Sequence, residues 1–345
     1  MRKKPSSSII ERVADNLPAA IVLGVTLVVA VVVGVAGGPS QLVNAFVTGG
    51  MWALLAVGLA LIFGVANIPY FAHGESFMIG AYTAFFVFSP IREYLLENPN
   101  PFLNAVSPFA GIFAAAIVGF VVGVILERLL FYPLRATSKP GEWIMNAFLL
   151  TLGISFVLIN GTTLVLGPNF RGVPHYWDVE PVAVGQVRVS VERIVALGVT
   201  LAAIGALWFF LRRTRTGRAM RAVAQDEVGA QMMGINLNFI YALTLGLSTA
   251  LAALAGAVLL FIFQAYPTVG GTPLYFAWYV VILVGLGNVA GAIAGGFIVA
   301  LLQTATQQFL GIGWSNVIPI VAMVVVLLAV PSGIFGSEVK GIQEQ

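Results

Sequence analysis

Apolar runs recur along the whole chain, at 17–37, 43–66, 76–88, 109–126, 144–166, 194–211, 239–263, 276–285, 290–310 and 317–330. A helix crossing the hydrocarbon core needs about 20 residues, so several of these runs qualify as full spans. The runs at 76–88 and 276–285 are too short to cross unaided. Each adjoins a break bearing glycine or proline, the pattern of broken or re-entrant helices in transporters. The expected fold is an all-α polytopic membrane protein with about ten membrane segments, eight to ten of them full spans.

The segment from Gly64 to Tyr82 breaks the pattern most sharply, because it sets Asn67, Pro69, His73 and Glu75 between two apolar runs. An ionisable side chain inside a bilayer costs roughly 2.5–3.5 kcal/mol on insertion scales, which makes it a functional-site candidate. Pro69 and Gly74 argue against a continuous helix, and irregular backbone at membrane depth is tolerated only where protein or a wet cavity satisfies it. The run at 76–88 would measure about 20 Å as a helix. Its start at Glu75 is therefore expected inside the membrane, lining a translocation path together with Asn67, Tyr70, Phe71, His73 and Gly74. An interfacial loop joining two spans is the plainer alternative.

Composition narrows the class. The 345 residues are 59% hydrophobic and 9% charged, with mean hydropathy +0.97. Soluble domains carry roughly 25% charged residues. No stretch is left for a separate soluble domain, so we expect a cytoplasmic tail at 1–16, one membrane domain at 17–331 and a second cytoplasmic tail at 332–345. Cysteine is absent, which excludes disulfides and thiolate chemistry. Two histidines about a hundred positions apart do not make a zinc site, and no cofactor is expected. The basic pI of about 9.3 reflects Lys and Arg in short loops, where they set topology, and not a nucleic-acid surface.

With a cytoplasmic N-terminus, all but Arg92, Arg171, Arg188 and Arg193 of the 17 basic residues fall inside, as the positive-inside rule requires. The chain reads as a multi-pass plasma-membrane protein in that orientation. The first run follows Arg2, Lys3 and Lys4 and is longer than the roughly 7–15 residues of a signal h-region, which favours an uncleaved span. Gly119–Gly123 and Gly291–Gly295 are small-xxx-small patterns that support a packed bundle without identifying a dimer face. Loops at 89–108 and 167–192 are expected outside. The second, with Asn169, Arg171, His175, Tyr176, Trp177, Asp178 and Glu180, fits either a docking surface for a delivery protein or an aromatic belt, and the belt is the commoner use.

The longest polar stretch, 212–236, is cytoplasmic in this orientation. It holds five arginines, then Gln225, Asp226, Glu227, Gly229 and Gly234. Val223, Val228 and Met232, with Ala222 and Met233, suggest a short amphipathic helix that Gly234 would end. Such a helix suits docking into a groove on a soluble partner. Binding anionic lipid headgroups is the alternative.

At these two segments the chain resembles permease subunits of Liv-type ABC importers, which carry branched-chain amino acids, urea or amides. The resemblance rests on Phe71-Ala72-His73-Gly74-Glu75 followed by Met78, Gly80, Ala81 and Tyr82. It continues through Glu127-Arg128, Pro133-Leu134-Arg135, Thr151-Leu152-Gly153, the stretch 217–226, Met233–Asn236 and the glycine-rich 285–296. It spans about 43–330. Tyr70 departs from it, since asparagine is usual there.

The resemblance implies an ABC importer permease fold, with 212–236 as the coupling loop for a separate ABC ATPase. Arg218, Arg221, Gln225, Asp226, Glu227, Gly229 and Gly234 are its candidate contact residues. It also implies a second permease subunit, self or paralogue, and an extracytoplasmic substrate-binding protein. The substrate is expected to be a branched-chain amino acid or a related small polar or amide solute. No Gly-x-x-x-x-Gly-Lys-Ser/Thr loop is present, so ATP hydrolysis by that route is not expected on this chain. An ion-coupled secondary transporter using Glu75 and His73 as a proton relay is the rival. An intramembrane enzyme is a weaker one, with one acid and one histidine and no metal-ligand spacing.

Overall fold

The computed structural model describes residues 9–139, 141–173, 177, 180–184, 187–260, 262 and 264–335. His175, Tyr176, Asp178, both terminal tails' ends and Lys340 lie outside the described residues. Among those described, seven helices are long and apolar enough to cross a membrane.

The described residues form thirteen α-helices: α1 Ile9–Gly37, α2 Pro39–Ala66, α3 His73–Glu97, α4 Pro101–Leu126, α5 Tyr132–Thr137, α6 Trp143–Leu166, α7 Val191–Arg213, α8 Arg215–Gln225, α9 Glu227–Met232, α10 Leu237–Val258, α11 Gly271–Val284, α12 Val289–Phe309 and α13 Val317–Ala329. A two-stranded antiparallel hairpin, β1 Val182–Val184 and β2 Val187–Val189, precedes α7. At about 1.5 Å per residue, α7 separates this hairpin end of the bundle from the end carrying α8 and α9.

α2 and α10 form the centre. α2 packs against α12, α10, α11 and α7, and α10 against α4, α3 and α2. Adjacent hydroxyls on α10 tie it to two neighbours: Ser248 Oγ donates to the Gly58 carbonyl at 2.7 Å and Thr249 Oγ1 to the Gly119 carbonyl at 2.8 Å. The glycine faces anticipated from sequence are used inside the chain. A Cβ on Gly123 would meet the Leu245 carbonyl at 2.8 Å, and one on Gly295 would meet Val280 at 3.0 Å. α6 and α13, by contrast, leave Phe156, Val157, Leu164, Val325 and Leu328 exposed, as suits helices against hydrocarbon.

Several boundaries differ from the sequence pattern. The helix expected at 76–88 starts at His73 and runs 25 residues to Glu97. It continues through Pro90 at the loss of one backbone bond, that to the Phe86 carbonyl. The outer loop expected at 89–108 is therefore only 98–100. Asn100 caps α4 by accepting from the Phe102 and Leu103 amides at 3.1 and 3.2 Å, with Pro101 in the first turn, the position where its missing N–H costs nothing. The run read as 239–263 stops as a helix at Val258. α11, in turn, has 14 residues and remains a short membrane helix, as expected.

Candidate functional site

α2 ends where Asn67 adopts the left-handed conformation (φ 52) and its amide bonds the Phe63 carbonyl at 3.0 Å. Asparagine tolerates this geometry, and Pro69 cannot resume the helix. The chain is irregular from Asn67 to Ala72, and α3 begins at His73. The break falls where the sequence placed it, but Gly74 and Glu75 belong to the first turn of α3.

α6 splints this break. Trp143 Nε1 donates to the Ala66 carbonyl at 3.4 Å, Thr151 Oγ1 to the Pro69 carbonyl at 3.2 Å, and Ser155 Oγ to Glu75 Oε1 at 2.7 Å. Three bonds in that order mean the segment climbs parallel to α6. Ser155 stands near the middle of α6, so Glu75 is held at mid-height in the bundle. His73 is at the same level. Its Nε2 lies 3.0 Å from the Leu55 carbonyl, near the middle of α2, and a carbonyl only accepts, so Nε2 carries the hydrogen. His73 Nδ1 and Glu75 Oε2 are buried and make no hydrogen bond in the protein.

The remaining members of the segment divide. The Tyr70 ring is fully buried against His73 and Phe131, and its hydroxyl faces Ser76 and Glu75 without a full hydrogen bond. Phe71 stacks on Trp278 at 5.0 Å. Asn67 is exposed. Gly74 is a glycine because α3 and α11 start against each other. A Cβ there would sit 2.5 Å from the Gly270 carbonyl oxygen and 3.2 Å from Leu274 Cβ. Close approach, and not a loose chain, explains this residue.

Below the break, Glu127–Phe131 forms a π-turn between α4 and α5. Pro133 removes an amide and crowds the preceding turn, a standard cause of such a distortion. The turn sends Phe131 into the core against Tyr70. It also brings buried Glu127 to Arg135, whose Nη1 donates to Oε1 at 3.1 Å. The Arg135 guanidinium lies 3.9 Å from the Tyr241 ring centre and 4.8 Å from that of Trp143. The Tyr241 hydroxyl in turn faces Glu227 of α9.

The segment 212–236 folds as two helices, not the single one expected. Thr214 caps α8 by accepting from the Gly217 amide at 2.9 Å, and Asp226 caps α9 by accepting from Gly229 at 2.9 Å. An aspartate at this position breaks the helix in two and restarts it. Gly234, at φ 82, turns the chain after α9, and Asn236 caps α10. α8 is amphipathic, with Gly217, Met220 and Val223 facing the bundle and Arg218 and Arg221 exposed. Val223 therefore does not share a face with Val228, Met232 and Met233, which are 62, 83 and 84% exposed beside exposed Gln225 and Glu227.

A family described as the branched-chain amino acid transport system permease component matches residues 41–327. That range holds α3 to α12 entire and all but the first two residues of α2, with the break, the π-turn and the α8–α9 pair. The chain belongs to this permease family. It is similar to the high-affinity branched-chain amino acid transport system permease protein BraD of Pseudomonas aeruginosa, 30% identical over 301 residues, covering 86% of this chain and 95% of the relative. LivH of Salmonella typhimurium is 29% identical over 301 residues, covering 86% and 94%. The ribose import permease protein RbsC of Escherichia coli is also similar, at 27% over 285 residues, covering 81% and 80%. No solved structure matches.

In this permease two features stand outside the motifs visible in the sequence. The Glu127–Arg135 pair was visible as an acid at the end of an apolar run with an arginine eight positions on. Less visible was a set of polar side chains at the hairpin end. Gln41, Asn44 and Thr48 follow one stripe of α2, and Gln303 and Gln307 one stripe of α12. The spacings of three and four were legible, but single amides scattered in apolar runs carry little signal until two helices face each other.

Proposed function

We propose that this permease is the membrane-spanning subunit of an ATP-driven importer for small aliphatic amino acids, energised by an ATPase on a separate chain. The observation that carries this reading is the α8–α9 pair: Val228, Met232 and Met233 stand out from the bundle while α8 is anchored to it. Exposed apolar residues on a capped, rigid element, rimmed by Arg218, Arg221, Gln225 and Glu227, fit a helix-in-groove contact with a soluble protein. A lipid anchor would instead put its apolar face toward the bilayer. Asp226, Gly229 and Gly234 shape this element, and the exposed side chains make the contact. The N-terminus is cytoplasmic in this reading. A second permease subunit completes the pore, and an extracytoplasmic binding protein delivers substrate.

Because Val228 and Met232 touch little of their own chain, Val228→Asp with Met232→Asp is expected to leave expression and thermal unfolding unchanged, within about 0.5 kcal/mol. The same variant is expected to lose co-purification of the ATPase. Retained co-purification returns the segment to the lipid-anchor role.

Asn67–Glu75 is proposed as the wall of the translocation path, packed shut in this conformation. The chain has no cysteine, so single cysteines report cleanly. Cysteines at Tyr70, His73 and Glu75 are expected to stay unreactive toward a charged thiol reagent in the resting state and to react once the ATPase is trapped with ATP. Leu59 and Leu61 in α2 serve as buried controls. Equal inertness in every nucleotide state removes the segment from the path. A second reading, an ion-coupled carrier, is favoured by the unpartnered Glu75 Oε2 and His73 Nδ1 at mid-height. Uptake by proteoliposomes lacking any ATPase would establish that reading instead.

A further inference from the structure

A cavity of about 250 Å³ opens at the hairpin end, between α2, the start of α7, α12 and the chain just after α10. It lies apart from the Asn67–Glu75 break. Drug-sized ligands occupy roughly 300–1,000 Å³, so this space suits a smaller solute. Its polar lining is concentrated in an otherwise apolar bundle, and among the described residues Arg193 is the one charged residue in it. A cation in the first turn of a helix opposes the helix dipole, so Arg193 does not serve α7.

The neighbours of Arg193 fix it in place. Its Nη1 donates to Asn44 Oδ1, which turns the guanidinium fork toward α2. Across the cavity, Trp52 Nε1 donates to Gln303 Oε1 at 2.9 Å, and the Trp52 ring stacks on Phe276 at 4.4 Å. This orients the amide from behind. Val47, Met51 and Leu259 supply an apolar wall.

We propose that this cavity is a receiving site for a small aliphatic α-amino carboxylate. Arg193 binds the carboxylate, the hydroxyls of Thr48 and Thr304 accept from the ammonium, and the apolar wall takes the side chain. A guanidinium offers paired donors matched to a carboxylate. A sugar would leave that cation without a counter-charge. The assignment rests on the import reading given above and names the part of this chain that would first hold the solute.

The test uses the full chain in detergent with Gln307→Cys, a position at the cavity's exposed rim. L-leucine is expected to slow labelling by a charged thiol reagent, whereas leucinamide, which lacks the carboxylate, and ribose are not. Adding Arg193→Gln is expected to raise the half-protecting leucine concentration about tenfold or more, and Arg193→Lys less. A tenfold change corresponds to about 1.4 kcal/mol. Equal protection by leucine and leucinamide, protection by ribose, or none by leucine would each overturn the site. Leucine import is measured in parallel in cells carrying the Gln307→Cys chain with its cognate ATPase, second permease and binding protein. Import without protection removes the cavity and keeps the permease reading. Protection without import keeps the cavity as a carboxylate site and removes the import reading.

Discussion

Arg135→Ala is expected to destabilise the permease by about 3–5 kcal/mol, the usual cost of removing one partner of a buried ion pair. Glu127 is 1% exposed and Arg135 21% exposed at the side chain, with Nη1 and Oε1 3.1 Å apart. The loss falls on the carboxylate. Without Arg135 it is left in a region where water does not compensate it, and Glu127 Oε2 already lacks a partner. The double variant Glu127→Leu, Arg135→Met should recover most of the loss, because a well-packed apolar pair can replace a buried ionic one at little cost. Arg135→Lys should fall between. Lysine keeps the charge but cannot stack flat over Tyr241 and Trp143. Thermal unfolding of the purified protein reads all three. An Arg135→Ala protein as stable as its parent would show that the pair contributes little.

The same residues connect the α8–α9 pair to the break. From Glu227 the side chains run through Tyr241, Arg135 and Glu127 to the π-turn, and the π-turn places Phe131 on Tyr70. This is a contiguous set of contacts. Demonstrating that it transmits a change in state requires a coupling measurement and not adjacency alone. The double variant provides one. If it unfolds like the parent yet fails to transport, the pair matters to conformational change beyond its effect on stability.

Span positions were legible because each long apolar run has one reading in a bilayer, and the break at Asn67–Ala72 because proline leaves few alternatives. Helix ends outside the apolar runs were not. Residues 89–97 contain Pro90, Arg92, Glu93 and Glu97 and look like a loop, yet they continue α3 because a helix extending beyond the hydrocarbon needs no apolar face. The split at Asp226 was equally hidden. Its cap is a local bond to Gly229, and the pattern Val223, Val228, Met232 mimics one continuous stripe. Gly74 illustrates the harder limit. Sequence offers breaking a helix and admitting a neighbour as equal explanations for a glycine, and only the approach of Gly270 decides between them. The Arg193 cavity was beyond reach for a related reason, since it is assembled from three helices and the chain just after α10, all far apart in the sequence.

Gly74→Val is expected to be among the most damaging single changes in this permease. The added side chain would start 2.5 Å from the Gly270 carbonyl oxygen and 2.9 Å from its carbon. Both are backbone atoms at the start of a helix, so no rotamer change relieves the contact, and α3 and α11 must separate. Overpacking typically costs about 1–3 kcal/mol, and with backbone on both sides the upper end or beyond is expected. Separation would also pull Glu75 from Ser155 and His73 from the Leu55 carbonyl, because both side chains sit in the same turn of α3. Gly153→Val is the control. It too places a valine on a membrane helix, but a Cβ at Gly153 meets nothing within 4 Å. Helix propensity then leaves a change of only about 0.5 kcal/mol. Thermal unfolding in detergent should separate the two variants clearly, with Gly74→Ala closer to Gly74→Val than to Gly153→Val. If Gly74→Val and Gly153→Val unfold together with the parent, the two helices do not meet closely at Gly74, and the glycine there is a helix breaker after all.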